Sequence, residues 1–89
     1  MEMTIEALNA IVPKNDYKDF AEFEFDASLG KFVGHIVHHE FRGLPVAERQ
    51  RRIWDELRRV FGEDVQRISL VLTYSPDEWE EVGDDAANF

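Results

Sequence analysis

The sequence predicts a single small α+β domain whose elements follow the order α-β-β-α-β-α, with a three-stranded mixed sheet and helices packed on one face. Three observations lead to this prediction. Apolar residues recur with the period of a helix in some segments and alternate as in a strand in others. Proline, glycine and capping residues separate these segments. A hairpin followed by a helix and a third strand favours one mixed sheet.

The first half of the chain reads as a helix and a β-hairpin. Thr4 is a suitable N-cap, apolar residues then follow at helical spacing, and Pro13 ends the helix. Alternating apolar and polar residues predict a first strand over 21–26 and a second strand over 32–41. Because so few residues join the two strands, we expect them to pair antiparallel.

The second half reads as a long helix, a strand and the start of another helix. Pro45 suits the first turn of an amphipathic helix, which Gly62 ends. A third strand follows over 67–74. Ser75 and Glu78 then have the spacing of a capping box, which predicts a helix start immediately after this strand.

The composition limits the possible classes of protein. Hydrophobic residues make up 44% of the 89, which supplies a small core, so we expect one domain over 1–89 with its core at about 4–82 and a flexible acidic tail over 83–89. The chain has no cysteine, which excludes disulfides, thiolate metal sites and a cysteine nucleophile. The acidic N-terminus does not resemble a signal peptide, and no apolar run has the length of a membrane span. We therefore expect a cytoplasmic protein.

Charge is distributed unevenly along a chain whose formal net charge is −9. Six of the ten basic residues fall within 42–59, although the five arginines of the long helix exceed its acids by only two. We expect ion pairs on the helix surface, such as Asp55 with Arg59 and Arg52 with Glu56. The negative net charge disfavours nucleic acid, so any such binding should be weak and strongly salt-dependent.

The three histidines are the obvious candidates for metal ligands. On an extended strand His35 and His39 would share a face but stand about 13 Å apart, while His38 would point the other way. We therefore predict no metal site and no bound cofactor. The serines have no evident histidine base nearby, and no spacing of carboxylates nominates an acid–base pair, so we predict a protein that is not an enzyme.

Two segments carry a likeness to a known family. The first reads Phe41-x-Gly43, then Arg49-x-Arg51 and Ile53-Trp54, and the second reads Ser75-Pro-Asp-Glu-Trp79 directly after the strand over 67–74. In spacing they resemble the FxGxxxxxRHRxVY and TPEEW-like segments of the BolA family, whose fold is related to the type II KH domain. The resemblance covers roughly 4–82 and implies that fold.

The resemblance implies a non-catalytic adaptor or regulator linked to stress response, cell morphology or iron–sulfur homeostasis, with a monothiol glutaredoxin as its type of partner. The chain departs from the family at its cluster ligands: Arg67 stands where the ligating histidine is usual, and the turn over 27–31 holds no cysteine or histidine. Arginine stays protonated and offers no lone pair. The resemblance therefore implies binding of the glutaredoxin through protein surface alone, or a diverged member that has lost this partner.

The leading mechanism is contact with a protein through the arginine-rich helix and the adjacent strand. The alternative is a transcriptional regulator that binds nucleic acid through the same surface. Candidate partner-binding residues are Arg42, Arg49, Arg51, Arg52, Arg67 and Trp79. For Arg49 we favour a structural role, in which it bonds a carboxylate or carbonyl. Trp79 is explained most simply by packing. We expect a monomer or a weak homodimer.

Overall fold

The computed structural model describes residues 2–87, and the last five of these through their backbone alone. The element order α-β-β-α-β-α is confirmed, with two short 3₁₀ helices added. The elements are α1 (Ile5–Asn9), β1 (Phe20–Asp26), β2 (Lys31–Val37), a 3₁₀ helix (His39–Phe41), α2 (Val46–Phe61), a second 3₁₀ helix (Gly62–Arg67), β3 (Ile68–Tyr74) and α3 (Pro76–Ala87).

The three strands form one mixed sheet in the order β1-β2-β3, as predicted. β1 pairs antiparallel with β2, and β2 pairs parallel with β3. The hairpin is possible because only four residues separate its strands, whereas the parallel pair needs the long crossover through α2. β2 is therefore the central strand, and β1 and β3 are the two edges.

Helices α1 and α2 cover one face of the sheet and enclose the hydrophobic core with it. The side chains of Leu8 on α1 and Leu57 on α2 are completely buried, and Val71 meets them from β3. Complete burial of an aliphatic side chain stabilises a fold by about 1.5–3 kcal/mol. The apolar periodicity of the two helices therefore reports the face that each presents to the core.

The core contains one very close approach of a side chain to the backbone. Gly34 on β2 lies opposite Phe23 on β1, on the core side of the sheet. A Cβ atom on Gly34 would lie 2.5 Å from Phe23 Cδ2 and 2.6 Å from the Glu22 carbonyl oxygen. The Phe23 ring thus occupies the space that a side chain at position 34 would need.

The opposite face of the sheet is covered only in part. Its rows of cross-strand neighbours are Phe20–Val37–Tyr74, Glu22–His35–Leu72 and Glu24–Val33–Leu70. α3 starts just after β3 and brings the half-buried Trp79 against this face, where its ring meets Phe20, His35 and Tyr74. α3 therefore differs from α1 and α2, because one of its side chains packs on the face that they leave uncovered.

The second strand is shorter than predicted. β2 ends at Val37, because His38 turns the chain: its Nδ1 accepts a hydrogen bond from the Glu40 amide and caps the 3₁₀ helix. This turn buries Phe41 in the core. The placement of His38 and His39 on a continuous strand was therefore wrong.

Two capping predictions are confirmed. Thr4 Oγ1 accepts a hydrogen bond from the Ala7 amide, and Ser75 and Glu78 exchange bonds as a capping box. The backbone of α3 stays helical beyond Gly83, the predicted start of the tail, since one glycine costs a helix only about 1 kcal/mol. Residues 88 and 89 of that tail lie outside the described residues.

Candidate functional site

The partly covered face of the sheet carries a half-buried histidine at its centre. The His35 ring stacks on the Trp79 indole with 4.5 Å between ring centroids and meets Phe20 edge-on. Its Nε2 atom is buried and has no hydrogen-bond partner in the described part of the chain. Burial lowers the pKa of His35, although the nearby carboxylates of Glu22 and Glu24 oppose this shift. The geometry therefore favours a neutral imidazole.

Beyond Trp79 the same face is open to solvent. Leu70 and Leu72 on β3 are 51% and 45% exposed, although both belong to a sheet. They line a shallow depression of about 490 Å³ together with residues of the other two strands. We call the six outward-facing side chains around it the open face: Glu22, Glu24, Val33, His35, Leu70 and Leu72. The open face is apolar along β3 and acidic along β1.

A side chain of α2 forms a hydrogen bond with one backbone carbonyl of the edge strand β3. Gln50 Nε2 donates to the Val71 carbonyl oxygen at 2.7 Å, and Trp54 Nε1 donates to Gln50 Oε1 at 3.0 Å. Gln50 stands where the resembling family has the histidine of RHR. Here it covers one backbone group of an edge strand that would otherwise be available to another chain.

The arginines on the outer surface of α2 are paired with acids of the same helix. Arg51 and Arg52 both bond Glu48. Further pairs join Arg51 and Arg58 to Asp55, and Arg59 to Glu56. The predicted pairs Asp55–Arg59 and Arg52–Glu56 were wrong, because several arginines reach acids three residues away rather than four. The helix thus neutralises much of its own positive charge.

Arg49 is the exception, because it is buried between elements. Its Nε donates to the Leu44 carbonyl oxygen at 2.8 Å, and its Nη1 and Nη2 bond the carboxylate of Glu78 on α3. Nearby, Arg42 pairs with Asp77 at the surface. The favoured structural role of Arg49 is thus what the structure shows.

The six candidate residues do not form one surface. Arg42, Arg49 and Trp79 lie around the junction with α3, where Arg49 and Trp79 are engaged in packing. Arg67 precedes β3, with its guanidinium 5.4 Å from the centroid of the Phe32 ring, so β3 separates it from Trp79. Arg51 and Arg52 are exposed on α2.

Sequence reasoning missed a compact polar cluster at the far end of the hairpin from its turn. Asp19, immediately before β1, is buried, and its Oδ2 lies 2.5 Å from His39 Nδ1 and 3.4 Å from His38 Nε2. Burial by itself would raise the pKa of Asp19, but hydrogen bonds from Asn15 and His39 outweigh it and hold the pKa below its usual value. The feature that could have revealed this cluster is the antiparallel pairing of the hairpin, which places the start of β1 beside the end of β2.

Comparisons of the chain with protein-family models, with curated proteins and with solved structures find no match in any of the three. Among the described residues, none of the helices combines the length and the apolar character needed to cross a membrane.

Proposed function

We propose that this chain is a non-catalytic, cytoplasmic adaptor of the BolA-like kind, which binds a protein partner through the open face. The observation that carries the proposal is the exposure of Leu70 and Leu72 on a sheet face that α3 covers only in part, through Trp79. Strands normally bury such side chains, and exposed clusters of them are typical of interaction sites.

The chemistry of the open face favours a partner segment that is both apolar and basic. Leu70, Leu72 and Val33 offer apolar contact, while Glu22 and Glu24 line the side formed by β1. The chain as a whole carries a formal charge of −9, which steers cationic partners towards it. The same carboxylates repel a phosphate backbone, so they argue for protein over nucleic acid.

The proposed contact surface is the open face and not the arginine-rich helix α2. Arg51 and Arg52 are satisfied by Glu48, and breaking such pairs would cost some of the energy gained on binding. Arg49 is committed to Glu78. A partner that engaged α2 would therefore have to compete with contacts that the chain already makes.

The resemblance makes a monothiol glutaredoxin the partner to test first. Arg67 and the turn over 27–31 supply no cluster ligand, so the proposed contact is between protein surfaces and uses the apo-glutaredoxin. The experiment is an NMR titration of the ¹⁵N-labelled chain. We expect the largest amide shifts in the three strands at residues 22–24, 33–35 and 70–72.

A pair of matched variants locates the contact. Leu72→Thr keeps a residue that suits a strand but removes apolar contact, and we expect it to weaken binding about fivefold. Leu29→Thr makes the same change at a side chain in the β1–β2 turn that is 56% exposed, against 45% for Leu72, and it should bind as the wild type does. Shifts confined to α2 would overturn the open-face assignment, and the absence of shifts would remove the glutaredoxin as partner.

A further inference from the structure

We propose that Asp19, His38 and His39 form a binding site for one divalent transition-metal ion, such as Zn²⁺. One carboxylate and two imidazoles are a ligand set that such ions accept. One candidate ligand atom from each of the three residues lies within 4.8 Å of the others. The proposal rests on these residues alone and does not depend on the proposed adaptor function.

Two of the three distances between ligand atoms, those to Asp19, can be compared with the distance that a bound ion imposes, and the two imidazole nitrogens lie within 4.8 Å of each other. Two ligand atoms on a tetrahedral Zn²⁺ stand about 3.3 Å apart, given bonds of about 2.0–2.1 Å. Asp19 Oδ2 and His38 Nε2 are already 3.4 Å apart. Asp19 Oδ2 and His39 Nδ1 are 2.5 Å apart, so His39 would have to withdraw by slightly less than 1 Å. Its ring is 29% exposed and stacks on the rings of Tyr17 and His38, so we expect it to withdraw within its own plane, towards solvent.

The carboxylate is held in place by groups that are not ligands. Asn15 Nδ2 donates to Asp19 Oδ2 at 2.9 Å, and the His39 amide donates to Asp19 Oδ1 at 2.9 Å. The Asp19 side chain is completely buried, so its orientation is fixed before any ion arrives. The Tyr17 ring stacks on His39 with 3.9 Å between centroids and orients that imidazole. Such support around the ligands raises metal affinity.

Both histidines can become ligands without losing a proton, because each ring proton can move to the other nitrogen of its ring. In the free chain His38 Nδ1 accepts from the Glu40 amide at 3.1 Å, which leaves the ring proton of a neutral His38 on Nε2. Ligation through Nε2 moves that proton to Nδ1, and ligation of His39 through Nδ1 moves its proton to Nε2. The Glu40 amide then loses its acceptor and turns to water, since Glu40 is exposed. This amide is therefore a specific reporter of the site.

A cavity lies next to one of the three proposed ligands, His38. His38 and Asn15 both line a cavity of about 310 Å³ that extends to α2. Three protein ligands leave at least one position of a tetrahedral ion for water. The site lies at the opposite end of the hairpin from the 27–31 turn, so it is separate from that ligand position of the resembling family.

The test is calorimetry and NMR of the full, untagged chain titrated with ZnCl₂ near neutral pH. We expect an isotherm that saturates at one ion per chain, together with shifts of the Glu40 amide and of the His38 and His39 ring signals. His38→Gln and His39→Gln should each weaken binding about tenfold or more. His35→Gln, the matched change at the third histidine, should leave binding unchanged.

Several outcomes would overturn the site. These are no heat and no shift in excess Zn²⁺, binding that survives both His38→Gln and His39→Gln, or binding that is lost in His35→Gln. One ion for every two chains would show a bridging site in place of the one proposed. Asp19→Asn removes a buried carboxylate and can unfold the chain, so the decision rests on the histidine variants, whose fold the same NMR spectra report.

Discussion

The guanidinium of Arg49 on α2 and the carboxylate of Glu78 on α3 form a two-pronged ion pair, with Nη1–Oε1 at 2.5 Å and Nη2–Oε2 at 3.3 Å. Arg49 is buried, and its Nε also holds the Leu44 carbonyl oxygen. Glu78 in turn accepts a hydrogen bond from the backbone amide of Ser75, its partner in the capping box. The pair thus joins the two segments on which the resemblance to the BolA family rests, and it gives their spacing a physical reason within the fold.

Glu78→Gln should destabilise the protein at neutral pH by about 1–2 kcal/mol, a figure reduced for screening because the Glu78 side chain is 46% exposed. The hydrogen bonds from Arg49, and then that from the Ser75 amide, lower the pKa of Glu78 from 4.5 to about 2. A carboxylate whose pKa is lowered by folding stabilises the native state at pH values above the pKa that it has in the unfolded chain. For Glu78 this contribution is lost as the pH falls from 4.5 towards 2. Urea unfolding of both proteins as the pH is lowered through this window should therefore show a shrinking difference.

The control for this prediction is Glu80→Gln, which changes an exposed carboxylate on the same helix. It should alter the free energy of unfolding by no more than about 0.5 kcal/mol. A difference between Glu78→Gln and the wild type that stays constant with pH would contradict the linkage.

Gly34→Ala should destabilise the protein by about 2–4 kcal/mol, because the new Cβ would overlap the Phe23 ring and the Glu22 carbonyl. Thermal or urea unfolding measures the loss. Gly30→Ala is the comparison: Gly30 has a φ of +68° but open space around its Cβ position, so its cost is the backbone strain of about 1 kcal/mol. Equal losses of stability at the two glycines would show that the close approach of Phe23 does not determine the cost of Gly34→Ala.

His35→Phe should flatten the dependence of stability on pH in mildly acidic solution. Burial lowers the pKa of His35 below 6.5, so the unfolded chain takes up the proton first. The native state therefore loses stability as the pH falls through 6.5 towards the lower folded pKa. Phenylalanine keeps an aromatic ring against Trp79 but cannot titrate. Melting temperatures at several pH values measure the effect, and parallel curves for the two proteins would refute it.

Arg51→Glu with Arg52→Glu separates the adaptor from a nucleic-acid-binding regulator. We expect the wild type to have negligible affinity for labelled single-stranded DNA at low salt, so the double variant should change nothing in fluorescence anisotropy. If the protein is a nucleic-acid-binding regulator, the wild type should instead bind the DNA in a salt-dependent way. The double variant should then show a lower affinity and a smaller dependence of that affinity on salt. Loss of the pairs with Glu48 should cost the fold little, because these side chains are exposed and solvent screens the pairs.

Part of the candidate surfaces was accessible from the sequence. The arginine-rich helix, the capping box at Ser75 and the packing of Trp79 follow from residue type and spacing. The open face did not follow, because alternation along β3 shows only that Leu70 and Leu72 share a side, and both sides of this strand carry apolar residues. Which side is covered depends on where α2 packs.

The sequence by itself determined the order of the elements, the turn of the hairpin and the helix starts at Thr4 and Ser75, since each depends on hydrogen bonds and apolar spacing between residues close in the chain. Only the tertiary structure decided the burial of Arg49 against Glu78 and the meeting of Asp19 with His38 and His39. These contacts join residues about 20 to 30 apart in the chain, so they depend on strand register and helix packing, which local periodicity does not encode.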